Sequence, residues 1–121
     1  HENLFDEELS ELPEEVILYE INGPLFFGAA RQFQETILKT HSQPKVIIIR
    51  MRYVPLIDAT GYQSITEIIK TYKIRGTKVI ISGIQPKLRK EFQKNGMFLI
   101  LDKDYVVHNI QDAIALAIRN I

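Results

Sequence analysis

Val46-Ile47-Ile48-Ile49-Arg50-Met51, followed after a short connector by Leu56-Ile57-Asp58-Ala59-Thr60-Gly61, is the stretch that decides how this chain folds. Four consecutive branched apolar residues leave no side for water. Such a run is expected of a central strand covered on both faces by helices. The period then changes: Ile65, Ile68, Ile69 and Tyr72 recur at intervals of three and four, which predicts a helix over about 61–75. Thr60 with Gln63 three residues later has the form of a capping box, in which the hydroxyl accepts a backbone N–H and the amide reaches back. Gly76 stands where a left-handed helix stop is wanted.

Toward the C-terminus, Lys78 to Ser82 reads as another β-branched strand closed by Gly83. Pro86 suits the first turn of a helix over about 86–95, with Leu88 and Phe92 facing inward. The next strand is either Phe98–Leu101 or Tyr105–Val107. Asn109 can cap a final helix, with Ile110, Ala113, Ile114, Ala117, Ile118 and Ile121 on one side. Toward the N-terminus, Val16 to Ile21 is a strand, Asn22-Gly23-Pro24 a strong turn, and Leu25-Phe26-Phe27 a short second strand. Gly28 then opens a helix over about 29–40 carrying Ala30, Phe33 and Ile37, and His41 to Pro44 is a loop. The predicted fold is α/β: a mainly parallel central sheet of four to five strands, about four helices, and an antiparallel N-terminal hairpin.

The chain has 121 residues, 45% hydrophobic and 25% charged, as in an average globular domain. Fifteen basic and fifteen acidic side chains cancel, which argues against nucleic acid as a partner. The balance hides a split. Residues 1–15 hold seven acids and no Lys or Arg, and the rest of the chain holds fifteen basic and eight acidic residues. Lys70, Lys73, Arg75, Lys78, Lys87, Arg89, Lys90 and Lys94 face only Glu91 within residues 70–94. We therefore divide the chain into an acidic arm, 1–15, and a domain, 16–121. The first residue is His1, so the expectation is a segment of a longer protein. No apolar run reaches the roughly 18 residues of a membrane span, and the start lacks a secretory pattern. The absence of cysteine excludes a disulfide framework and a thiol nucleophile and fits the cytosol.

No catalytic constellation emerges. The six glycines form no phosphate-binding motif. His1, His41 and His108 have no partner at metal-ligand spacing, so no metal and no cofactor is expected. Ser82 lacks the G-x-S-x-G elbow, and nothing indicates burial of Asp102 or Asp104. An enzyme is therefore not expected. The loop Asp58-Ala59-Thr60-Gly61 stands out by position. It follows the central strand, where open α/β sheets bind ligands, and it opens a helix, whose N-terminus suits phosphate and tolerates phosphorylation of Thr60. The plainer alternative is that Asp58 and Thr60 only cap the helix.

Ile21-Asn22-Gly23-Pro24-Leu25-Phe26-Phe27 resembles the opening of the STAS domain of sulfate-permease (SulP) anion transporters. Val46 to Met51 with Ile57-Asp58-Ala59-Thr60-Gly61 resembles that domain's central strand and its D-x-[ST]-G loop, and Asp112-Ala113-Ile114 resembles its final helix. The resemblance covers about residues 16–121 and implies Tyr105–Val107 as the last strand. It implies a cytoplasmic domain that follows the membrane part of an integral transporter at the inner (plasma) membrane. Such a domain acts by binding: to the transmembrane domain, a second copy, a cytosolic protein or a nucleotide, with Asp58, Ala59, Thr60 and Gly61 as the contact loop. More distantly the chain resembles the anti-sigma factor antagonists, which implies Thr60 as a phosphosite. Ala59 stands where those proteins usually carry a hydroxyl, which favours the transporter branch. A further candidate is the lysine face Lys87, Lys90 and Lys94, three and four apart on one helix. It suits an anionic membrane surface or, alternatively, the acidic arm.

Overall fold

The computed structural model describes residues 12–39 and 43–121, so His1, His41 and the acidic residues up to Glu11 lie outside the described residues. Strands β1 (Val16–Asn22), β2 (Val46–Tyr53), β3 (Lys78–Ser82) and β4 (Val106–Val107) form one sheet in that order. Every neighbouring pair is parallel. Helices α1 (Phe27–Leu38), α2 (Ala59–Arg75) and α3 (Pro86–Lys94) make the connections, and α4 (Ile110–Arg119) follows β4.

The strand order steps one way across the sheet. Right-handed crossovers stepping one way must place all their helices on one face. Accordingly Ala30 and Ile37 of α1, Ile65, Ile68 and Tyr72 of α2, and Leu88 and Phe92 of α3 share a core with Ile47, Ile49 and Met51. Alternate residues of the same strands, Val16, Val46, Ile48 and Ile80, turn to the other face and pack on Ile110, Ala113 and Ala117 of α4. The central strand is thus buried on both sides, as its unbroken apolar run requires. The Tyr72 hydroxyl donates to the Ile37 carbonyl at 2.5 Å and fastens α2 to α1. Next after Ile48 on the α4 face comes Arg50, largely buried and paired with Glu20 on β1 at 2.9 Å.

Several expectations hold. Gly76 ends α2 at φ 82°, in the left-handed region. Pro86 opens α3, Asn109 caps α4 by accepting the Asp112 N–H at 2.8 Å, and the last strand is Val106–Val107. Others need correction. The N-terminal hairpin is not antiparallel. Gly23, at φ 88°, sends the chain across the end of β2 instead of back along β1. The Gly23 N–H donates to the Tyr53 carbonyl and the Leu25 N–H to the Leu56 carbonyl, both at 2.9 Å, so Leu25 forms a single parallel bridge with Ile57. Phe27 already belongs to α1. The alternative strand Phe98–Leu101 contains a 3-10 turn at Met97–Leu99 that leaves Leu99 exposed. Ile118 and Ile121 are exposed, at 51% and 40%. Ile118 lies at the edge of the apolar stripe, and Ile121 lies beyond the Asn120 cap.

Because Ile48 has no solvent exposure and packs under α4, Ile48→Ala should cost about 2–5 kcal/mol. Urea unfolding of the two proteins checks this through a lower midpoint at unchanged slope.

Candidate functional site

The loop at the carboxyl end of β2 is organised by one carboxylate. The helix begins earlier than its apolar period indicates, at Ala59, and its N-cap is Asp58. Asp58 Oδ1 accepts the Gly61 N–H at 2.8 Å. Its other oxygen, Oδ2, accepts the Phe27 N–H at 3.1 Å. Phe27 opens α1, whose own N-cap residue, Phe26, contributes no side-chain bond. One side chain therefore caps two helices, and its negative charge sits at two partly positive helix ends. Gly61 makes this approach possible: a Cβ there would collide with the Leu25 carbonyl oxygen and lie 2.7 Å from Ile57 Cγ2. The capping box expected of Thr60 and Gln63 does not form. Thr60 is the second helical residue rather than the cap, and Gln63 turns to Glu67 at 3.5 Å.

Around this clamp lies an apolar rim that the sequence pattern did not reveal. Phe26, Phe27, Tyr53 and Leu56 are 45%, 61%, 45% and 46% exposed. The Leu-Phe-Phe triplet reads as a buried strand. Only Leu25 is buried, because the bridge to Ile57 turns it inward and leaves the two aromatic rings outside. A usable signal was the pair of adjacent aromatics at a helix start, where one helical face cannot bury both. Arg31 lies over the Phe27 ring and Arg52 over the Tyr53 ring, at 5.9 and 5.6 Å from the centroids. Ala59 is exposed and Thr60 half-buried. The loop thus offers a methyl, a hydroxyl and aromatic faces. Both Asp58 oxygens are engaged by backbone N–H groups. The arrangement suits docking of another surface.

The structure places Lys87, Lys90 and Lys94, all exposed, along α3, apart from this loop. Behind the loop, the Tyr62 hydroxyl of α2 and Glu91 Oε2 of α3 are buried without a well-formed hydrogen bond among the described residues. Burial first, then the charge and proximity of Glu91, push the Tyr62 hydroxyl up to about 12 from 10.0. Among the described residues no group of acidic and histidine side chains is placed to hold a metal ion.

Fold and loop together define a class: the chain belongs to the STAS domain family, whose pattern matches residues 10–117. Its homologues include STAS domains of SulP transporters. It is 37% identical to a sulfate transporter family protein from Wolinella succinogenes, with a TM-score of 0.84 over 89% of this chain and 88% of that one. It is 30% identical to the SulP transporter STAS domain from Vibrio cholerae, with a TM-score of 0.79 over 98% and 92%. YvdB of Bacillus subtilis (strain 168), named as a candidate sulfate transporter, is 29% identical over 91 residues, 74% of this chain; the match spans only 17% of that protein. The fold, and the fold alone, extends to the anti-sigma factor antagonist SpoIIAA, at 18% identity and a TM-score of 0.68 over 91% and 94%.

Two outcomes follow from the clamp. Asp58→Ala removes both caps and should cost about 1–4 kcal/mol, twice an ordinary N-cap, whereas Thr60→Ala should stay within about 0.5 kcal/mol; chemical denaturation separates them. For Tyr62, protonation is shared by both states below pH 10. Between pH 10 and about 12 the unfolded chain loses a proton that the folded chain keeps, so stability falls as pH rises through that window. Tyr62→Phe should show a flatter loss than the parent chain in thermal melts across this range.

Proposed function

We propose that this chain is the cytoplasmic domain of a SulP-type anion transporter and works as a regulatory interaction module. Its partner surface is the Asp58-Ala59-Thr60-Gly61 loop with the aromatic rim beside it. The observation that carries this reading is the exposed group Phe26, Phe27, Tyr53 and Leu56 held around a clamped loop. Exposed apolar groups of this kind, rimmed by polar residues, mark interaction sites. The kinship with SulP STAS domains supports the transmembrane domain of the same protein as the first partner. Among the described residues no helix is long and apolar enough to cross a membrane, so transport itself would belong to other parts of such a protein. A second copy or a cytosolic protein fits the same surface. A nucleotide fits it less well, because the Asp58 carboxylate already occupies both helix ends.

Thr60 carries a second reading, that of an anti-sigma antagonist switched by phosphorylation. Thr60 is half-buried and lies in the first turn of α2. Phosphate there gains from the helix end and is opposed by Asp58. The lysine face of α3 supports a third contact, with an anionic leaflet, each Lys contributing roughly 1 kcal/mol.

In the intact transporter, Phe27→Glu and Leu56→Lys should leave folding and expression unchanged and reduce anion uptake, or recovery of the partner, several-fold. Unchanged uptake and recovery in both variants would remove the rim from the interface. Kinase treatment followed by mass spectrometry at Thr60, and liposome binding by a Lys87→Glu, Lys90→Glu, Lys94→Glu variant, test the other two contacts.

A further inference from the structure

Away from the clamped loop, the carboxyl ends of β2, β3 and β4 and the first turns of α3 and α4 enclose a cavity of about 580 Å³. That is the size of a small-molecule site. Its charged lining is Arg50, Arg52 and Arg89, with His108 beside them and no carboxylate among the lining residues. The guanidinium groups are held in place. Arg50 is tied to Glu20 at 2.9 Å. Arg89 donates to the Val106 carbonyl at 3.0 Å and lies over the Phe98 ring. Arg52 lies over the Tyr53 ring.

Ser82 supplies the independent sign of a ligand. It lines the cavity beside Arg50, its register partner on β2. It has no solvent exposure, and its hydroxyl has no hydrogen-bond partner among the described residues. A buried hydroxyl is costly to leave unpaired, and here it stands in a recess lined by three arginines. The first turn of α3 adds N–H groups without any side-chain cap, in contrast to α1 and α2, whose ends Asp58 fills.

We propose that this cavity binds a small organic molecule through a phosphate group, held by Arg52, Arg89 and Ser82 at the start of α3. With Arg50 matched by Glu20, Arg52 and Arg89 and an open helix end still supply more positive charge than a single carboxylate needs, and guanidinium forks match phosphate oxygens. The volume exceeds that of the bare ion, and Ile84, Pro86 and Ile110 furnish apolar walls for an organic remainder.

The test is a titration followed by amide NMR, with inorganic phosphate and with a nucleoside monophosphate, at fixed ionic strength in chloride. Saturable shifts are expected at Ser82, Lys87, Leu88 and Ile110, with the organic phosphate binding more tightly. Arg52→Gln and Arg89→Gln should each weaken binding roughly tenfold. Ser82→Ala should weaken it several-fold without lowering the melting temperature, since it removes an unpaired hydroxyl. The assignment is overturned if chloride alone reproduces the shifts, if they centre on residues 58–61, or if the arginine variants bind as the parent does. Equal affinity for the two phosphates would overturn the organic part of the ligand. Phe27→Glu, which tests the interaction surface, should leave these shifts in place, so the two proposals fail separately.

Discussion

The Asp58 carboxylate is the constraint on which the functional end of the molecule depends. It joins two chain segments 31 residues apart in sequence, the start of α1 and the start of α2. Each of its oxygens satisfies an N–H that the helix itself cannot. The backbone around it is drawn in: the Asp58 N–H donates to the Leu25 carbonyl at 3.3 Å, and the contact leaves no room for a side chain on Gly61. The exposure of Phe26 and Phe27 is a consequence of that closeness. With Leu25 anchored inward and Phe27 fixed as the first helical residue, the rings have no interior left to enter.

Among the described residues, the N-termini of the α-helices divide into two kinds. Those of α1 and α2 are closed by the chain's own carboxylate, and that of α4 by the Asn109 side chain. The start of α3 has Gln85 as N-cap with no side-chain bond, and Pro86 next to it. The surroundings differ as well, the capped α4 start sharing the arginine cavity with α3. The closed pair lies beside apolar side chains, and the open one beside arginines. The same edge of one sheet therefore presents two surfaces of opposite chemistry, one fit for a protein face and one for an anion.

Much of this was legible in the sequence. The run Val46–Ile49 announced a strand buried on both sides, and the periods around Ile65–Tyr72 and Leu88–Phe92 announced their helices, because burial imposes a spacing that residues nearby in sequence must obey. The STAS resemblance rested on the same segments. What stayed hidden involves partners distant in sequence. In the sequence Asp58 reads as a contact residue or a local cap, and its second bond, to Phe27, has no sequence signature. The Leu-Phe-Phe triplet has the composition of a strand, and only the bridge to Ile57 shows otherwise. Ser82 carries no site motif in the sequence, and its isolation beside Arg50 depends on a strand register that no local pattern encodes.

The one-way strand order has a kinetic side as well. Val16 pairs with Val46, Val46 with Lys78, and Ile81 with Val106. Each pairing closes a loop of comparable length, at an entropic cost of about 3 kcal/mol for some thirty residues. No strand has to wait for the far end of the chain. The sheet can grow by adding one strand at a time as the polypeptide lengthens, and α4, packed on the face opposite the other helices, is the piece that locks it.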